Sequence, residues 1–215
     1  MSISPILLSS SLLVLAVAAL LFAEVRSSQT GIWLAKPIAS TLFVITALLA
    51  DALLSFYGHL ILLGLLLSWL GDVFLIPRRR LFFAAGLASF LLAHLAYGGA
   101  FLQQAMDGTS LVIASVAMVV FATVVIRWLW PHLPSGLRWP VVAYLVAISL
   151  MVVLACGTIR SMGPLLTIGA VMFAVSDLFV ARNRFIEPAV VNRLWGLPLY
   201  YAAQLIFALS AHNPF

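Results

Sequence analysis

Apolar runs of about 17–22 residues follow one another along nearly the whole chain, each long enough to cross a ~30 Å hydrocarbon core as a helix. That succession constrains the fold more than any motif does. Eight runs are separable, at approximately 5–24, 36–52, 57–76, 81–102, 110–130, 138–156, 162–181 and 195–212. The breaks have local causes. Pro77 and Arg78 to Arg80 close the third run, and Asp107-Gly108 is a turn signal. Pro131 and Pro134-Ser135-Gly136 make the longest central break, Met162-Gly163-Pro164 opens the seventh run, and Glu187-Pro188 interrupts the approach to the eighth. The second and third runs are the least sharply divided, with only Asp51 and Tyr57-Gly58-His59 between them.

The composition agrees. Of 215 residues, 65% are hydrophobic and 8% charged, whereas a soluble domain carries about 25% charged residues. The expectation is an all-α integral membrane helical bundle of about eight transmembrane helices, forming one domain over residues 1–215. The N-terminal run has no basic residue before it, which reads as a retained first span rather than a cleaved signal. The net charge of +5 does not point to nucleic acid as a partner. Of the 11 Lys and Arg, all but Arg160 fall in alternate loops, and such a bias sets topology. It predicts both termini outside and the arginine-rich loops in the cytoplasm, as in a bacterial inner-membrane protein. Cys156 is the single cysteine, so neither a disulfide framework nor a thiolate metal cluster is available.

Two acids stand inside these runs: Asp72 in LLGLLLSWLGDVFLIPRRR and Asp177 in GAVMFAVSDLFVARNRF. An ionisable group in hydrocarbon is costly and is a functional candidate for that reason. Asp72 lies six residues before Arg78 and Asp177 five before Arg182, so both should sit roughly 8–9 Å inside the arginine ring at the helical rise. The two segments resemble each other, G-D-V-F-L against S-D-L-F-V, which fits a four-plus-four pseudo-repeat. Lys36 and Ser40 lie one turn apart at the start of the second run, and Tyr200, Tyr201 and Gln204 fall at a comparable depth on the eighth. His94 and Tyr97 share a face of the fourth run with Phe90 and Phe101. By the same ruler His94 lies roughly 20 Å from the arginines, too deep to touch the aspartates, and would line the far end of a pocket.

Several chemistries are excluded by their missing motifs. There is no H-E-x-x-H, no G-x-S-x-G and no phosphate-binding glycine loop, and four scattered histidines do not make a metal site. No cofactor or metal is implied. What remains is a carboxyl pair in a medium of low dielectric, where one member holds its proton while the other stays ionised. Such a pair supplies an acid and a base for cleaving an acid-labile ether through an oxocarbenium ion. It serves a proton-coupled transporter equally well, and a scaffold with structural acids is a third reading.

The motifs resemble those of the YhhN family, which includes the lysoplasmalogenases. The matching features are Lys36-Pro37, L-G-D-V-F-L at 70–75, the stretch F-x-x-G-L-x-x-F-x-x-x-H-x-x-Y from Phe83 to Tyr97, G-A-V-M-F-A-V-S-D at 169–177 and Y-Y-A-A-Q at 200–204. The resemblance implies a multi-pass enzyme that hydrolyses the vinyl ether bond of lysoplasmalogens to a fatty aldehyde and a glycerophospho-base. Its partners would be a lysophospholipid substrate and membrane lipids. Asp72 and Asp177 take the catalytic positions by motif. Lys36, His94, Tyr97, Tyr200, Tyr201 and Gln204 are the expected binding or supporting residues. Tyr201 and Gln204 would hold the water or glycerol hydroxyl, Lys36 and an arginine of the cytoplasmic ring the phosphate, and the apolar stripe of the fourth run the chain.

Overall fold

Short polar connections cut the apolar sequence into helices, and their side chains cap the ends. The computed structural model describes residues 4–77 and 79–211; Arg78 of the arginine cluster and the expected end of the last span at residue 212 lie outside them. The described helices are α1 (Pro5–Val25), α2 (Gln29–Leu49), α3 (Phe56–Phe74), α4 (Arg80–Phe101), α5 (Gly108–Leu129), α6 (Arg138–Gly157), the single turn α7 (Ile159–Met162), α8 (Leu165–Phe185) and α9 (Val190–Ser210). Ser28, Ser55 and Asp107 accept backbone N–H bonds from Gly31, Gly58 and Ser110 at 3.2, 2.9 and 2.9 Å, starting α2, α3 and α5. Gly163, at φ 74°, turns the chain before Pro164 and α8, a conformation a side chain would resist.

Seven of these helices, α1 to α6 and α8, are long and apolar enough to cross a membrane, and the protein is a multi-pass membrane bundle. The eighth long helix, α9, has the same length but carries Asn192, Arg193, Tyr200, Tyr201 and Gln204. Three starts differ clearly from the sequence expectation. α2 begins at Gln29, seven residues ahead of the apolar run, because the Ser28 cap sets its start and Pro37 is accommodated inside it. Lys36 therefore sits nearly two turns within the helix rather than at its opening. Likewise α9 begins at Val190, and α8 at Leu165.

Apolar surface gains nothing by moving from lipid to a helix interface, so close packing has to hold the bundle. Along α3, Gly64 and Gly71 recur seven residues apart and receive the rings of Tyr97 and Phe90 from α4. A Cβ on Gly71 would lie 2.6 Å from the Phe90 ring. The neighbour pattern follows a four-plus-four plan in which α1, α2, α3 and α4 correspond to α5, α6, α8 and α9. The pairs α1–α2, α2–α3 and α3–α4 match α5–α6, α6–α8 and α8–α9, and α4 packs on α6 as α9 packs on α2. The plan breaks at two places. α9 packs its backbone close to α1 and α3, whereas α4 stays away from α5 and meets α8 chiefly through aromatic side chains, Phe90, His94 and Tyr97 on Phe173. A gap is left there.

Candidate active site

Asp72 stands in the last turn of α3, two residues before its end, where α2 and α9 converge on it. Lys36 and Ser40 reach it from one face of α2. The Lys36 ammonium is 3.1 Å from Oδ1 and also donates to the Asp72 carbonyl at 3.2 Å, while the Ser40 hydroxyl donates to Oδ2 at 2.6 Å. From α9 the Tyr200 hydroxyl donates to the same Oδ2 at 2.6 Å. A buried ion pair recovers its desolvation only when further hydrogen bonds complete it, and Ser40 and Tyr200 do so here. Behind this shell a polar chain runs into the bundle. Tyr201 bonds Ser40 at 3.1 Å, Gln204 donates to Tyr200 at 3.0 Å, Tyr97 donates to Gln204 at 2.7 Å, and Ser68 meets Tyr97 at 3.4 Å.

Asp177 is placed differently. It lies eight residues inside the end of α8, and its carboxylate accepts one hydrogen bond, from the Tyr144 hydroxyl of α6 at 2.6 Å. Among the described residues no Lys or Arg nitrogen comes within 4 Å of it. The His94 ring is fully buried, packed edge-on to Tyr144 and against Phe173, with centroids at 5.1 and 4.7 Å. Its Nε2 is 3.8 Å from Asp177 Oδ2, longer than a hydrogen bond, and neither ring nitrogen has a partner. This corrects the expected separation of His94 from Asp177. The ruler took the arginines as level helix ends, but α8 continues through Arg182 and Arg184 to Phe185.

Both aspartates line one cavity of about 270 Å³. It occupies the gap left by α4, α5 and α8. Its mouth is polar, with Glu24, Gln29, Asn192 and Arg193, and one wall is apolar, with Leu87, Phe121, Val125, Leu129, Val141 and Leu145. Of the sequence candidates, Lys36, Asp72, Asp177 and Tyr200 reach this cavity; Tyr97, Tyr201, Gln204 and His94 lie behind its wall. Of the apolar stripe expected to hold a chain, Phe90 lines the cavity but Phe101 is packed in the core against Phe207. The apolar wall comes mainly from α5 and α6 instead. Sequence reasoning missed Tyr144. Its signal was weak, a lone tyrosine in an apolar run, yet it stands on α6 where Lys36 stands on the corresponding α2.

Fold and site together define a class: a polytopic helical bundle with two acids facing one intramembrane cavity. The family model for the YhhN family matches residues 31–211, and the chain belongs to that family. It is 40% identical over 153 residues to a protein named lysoplasmalogenase from Mycobacterium tuberculosis, a match covering 66% of this chain and 56% of that protein. It is 33% identical over 159 residues to lysoplasmalogenase TMEM86A of Homo sapiens, covering 70% of this chain and 64% of the relative. Lysoplasmalogenase TMEM86B of Mus musculus is 34% identical over 154 residues, covering 70% and 63%. The chain thus spans less than two thirds of the length of these relatives. No solved structure is a significant match.

Proposed function

We propose that this protein is an intramembrane hydrolase that cleaves the vinyl ether bond of lysoplasmalogens by acid–base catalysis, with Asp177 as the acid and Asp72 as the fixed negative charge. The observation that carries the reading is the unlike surroundings of two carboxyls on one cavity. Asp72 has Lys36 as counter-ion at 3.1 Å. Asp177 faces the same space with a single hydroxyl donor and, among the described residues, no Lys or Arg nitrogen within 4 Å.

The cavity suits a single-chain lipid. The apolar wall of α5 and α6 takes the alkenyl chain, the polar mouth takes the headgroup, and the vinyl ether lies between, beside the acids. Asp177 gives its proton to the outer vinyl carbon, and the electron pair of the ether oxygen forms an oxocarbenium ion. The Asp72 carboxylate stabilises that cation, an arrangement set before the charge appears. Water adds to the oxocarbenium carbon and returns a proton to Asp177. The hemiacetal then collapses to a fatty aldehyde and a glycerophospho-base. Tyr144 orients the Asp177 carboxyl, and Ser40 and Tyr200 fix Asp72. The arginine-rich end of the bundle, where the mouth opens, is assigned to the cytoplasm, with both termini outside, from the placement of the basic residues.

The test is aldehyde release from lysoplasmenyl-ethanolamine and lysoplasmenyl-choline by the detergent-purified protein, with the saturated ether as control. Release from the vinyl ethers alone, lost in Asp72→Asn and in Asp177→Asn, supports the reading. No aldehyde from a monodisperse wild type on either lipid overturns it.

A further inference from the structure

Glu24 is an acid the reaction above does not use. It lies at the C-terminal end of α1, its side chain only 10% exposed, and it lines the mouth of the cavity. Its one partner is Arg193 at the start of α9, with Oε2 2.8 Å from Nε. That contact uses one atom of each group. The contact is an ion pair by distance only: Arg193 Nε makes no hydrogen bond, and among the described residues neither its two terminal nitrogens nor the second oxygen of Glu24 makes one, while Arg193 lines the same cavity. A buried ion pair contributes little stability on balance, because desolvation offsets its attraction. This ion pair on a cavity wall leaves the guanidinium donors and one carboxylate oxygen unspent, open to a ligand.

The acids lining the cavity are Glu24, Asp72 and Asp177. Asp72 is already held by Lys36 and two hydroxyls, and Asp177 lies past the mouth beside Tyr144. Glu24 is therefore the one acid placed for a cation at the mouth. Arg193 beside it presents a guanidinium fork, which matches a phosphate. We infer that Glu24 and Arg193 form a receptor for a zwitterionic phospho-amine headgroup, Glu24 taking the ammonium and Arg193 the phosphate. On binding, the internal pair opens and each charge meets its opposite in the ligand. The inference rests on the lysophospholipid reading of the cavity and adds the residue that selects the headgroup. Glu24 also lies outside residues 31–211, the stretch matched by the family model, whereas Arg193 lies within it.

The experiment compares saturated-ether lysolipids, which cannot be cleaved, carrying either phosphoethanolamine or a bare phosphate. Their binding to the detergent-purified protein is followed by calorimetry. Wild type is expected to prefer the phosphoethanolamine lipid by about tenfold, the scale of a desolvated charge pair. Glu24→Gln should abolish that preference by weakening the amine lipid alone, with the phosphate lipid bound as well as before or better. No preference in wild type, or an equal loss for both lipids in Glu24→Gln, overturns the assignment; the second is what a purely structural ion pair gives. If Glu24→Gln is not monodisperse, Glu24→Asp keeps the charge and shortens its reach. It should lose part of the preference, and an undiminished preference there overturns the assignment. Aldehyde release is measured in the same preparations on the vinyl ether lipids. Headgroup selection without aldehyde leaves this receptor standing and removes the hydrolase.

Discussion

The two halves of the bundle hold their acids in opposite ways. In the Asp72 half, α2, α3 and α9 close tightly, and the carboxylate is 3% exposed with a lysine and two hydroxyls around it. In the Asp177 half, α6 packs on both α4 and α8 but α4 and α8 meet chiefly through aromatic side chains, and the Asp177 side chain is 19% exposed with one hydroxyl donor among the described residues. The repeat places an equivalent helix at each position, yet α2 supplies Lys36 where α6 supplies Tyr144, and α9 supplies Tyr200 where α4 supplies His94. Among the described residues a cation stands on one side and none on the other, and under the proposed reaction this makes one acid the fixed charge and the other the proton carrier. The difference lies in the neighbours, not in the aspartates.

The sharpest break of this comparison is Asp177→Asn. Loss of a general acid lowers kcat by about 10²–10⁴, and thermal unfolding of the variant in detergent should stay close to wild type because no counter-ion is orphaned. Asp72→Asn should also lose most activity, but it leaves Lys36 buried without its partner. Removing one member of a buried pair costs about 3–5 kcal/mol, so this variant should unfold markedly earlier. A Lys36→Met, Asp72→Asn double variant should regain stability without regaining aldehyde release. If the two single variants show equal stability, the closed and open halves are not distinct.

Single hydroxyls sharpen the contrast further. Tyr144→Phe removes the one donor to Asp177 among the described residues and should lower kcat about tenfold, the worth of a hydrogen bond to a charged or reacting group. Tyr200→Phe leaves Lys36 and Ser40 on Asp72 and should cost about threefold or less. Initial-rate kinetics on one lipid compare the two directly. The smallest effect is expected at the apolar wall. Leu129→Trp narrows the α5 side of the cavity and should raise KM by a few-fold for long alkenyl chains, with short chains little affected, as about 0.8 kcal/mol rides on each buried methylene.

Much of this was legible in the sequence. Run length and the arginine cluster exposed the spans, and an acid among leucines and phenylalanines stands out by contrast alone. Lys36 was visible as a basic residue beside an apolar run. Tyr144 was not, because a single tyrosine in VVAYLVAIS reads as packing until a carboxylate is found opposite it. Glu24 was hidden by its neighbour Arg26, since the two read as loop charges at a helix end. His94 was kept apart from Asp177 because the depth of Asp177 was measured from Arg182, which lies within α8 and not at its end. Helix–helix distances, unlike helix existence, depend on tertiary packing, and the repeat's broken contacts at α4 leave no trace in periodicity.

The rings between the two acids have a consequence of their own. Tyr200, bonded to Asp72, packs on Phe90 and Phe173 at 5.8 and 5.3 Å, and Phe173 packs on His94 beside Asp177. On the protein side aromatic carbon stands between the carboxyls, and no hydrogen-bonded chain among the described residues joins them. In the proposed reaction Asp177 therefore acts as its own base within each turnover, and Asp72 works as a static electrode, never as a second station in a relay.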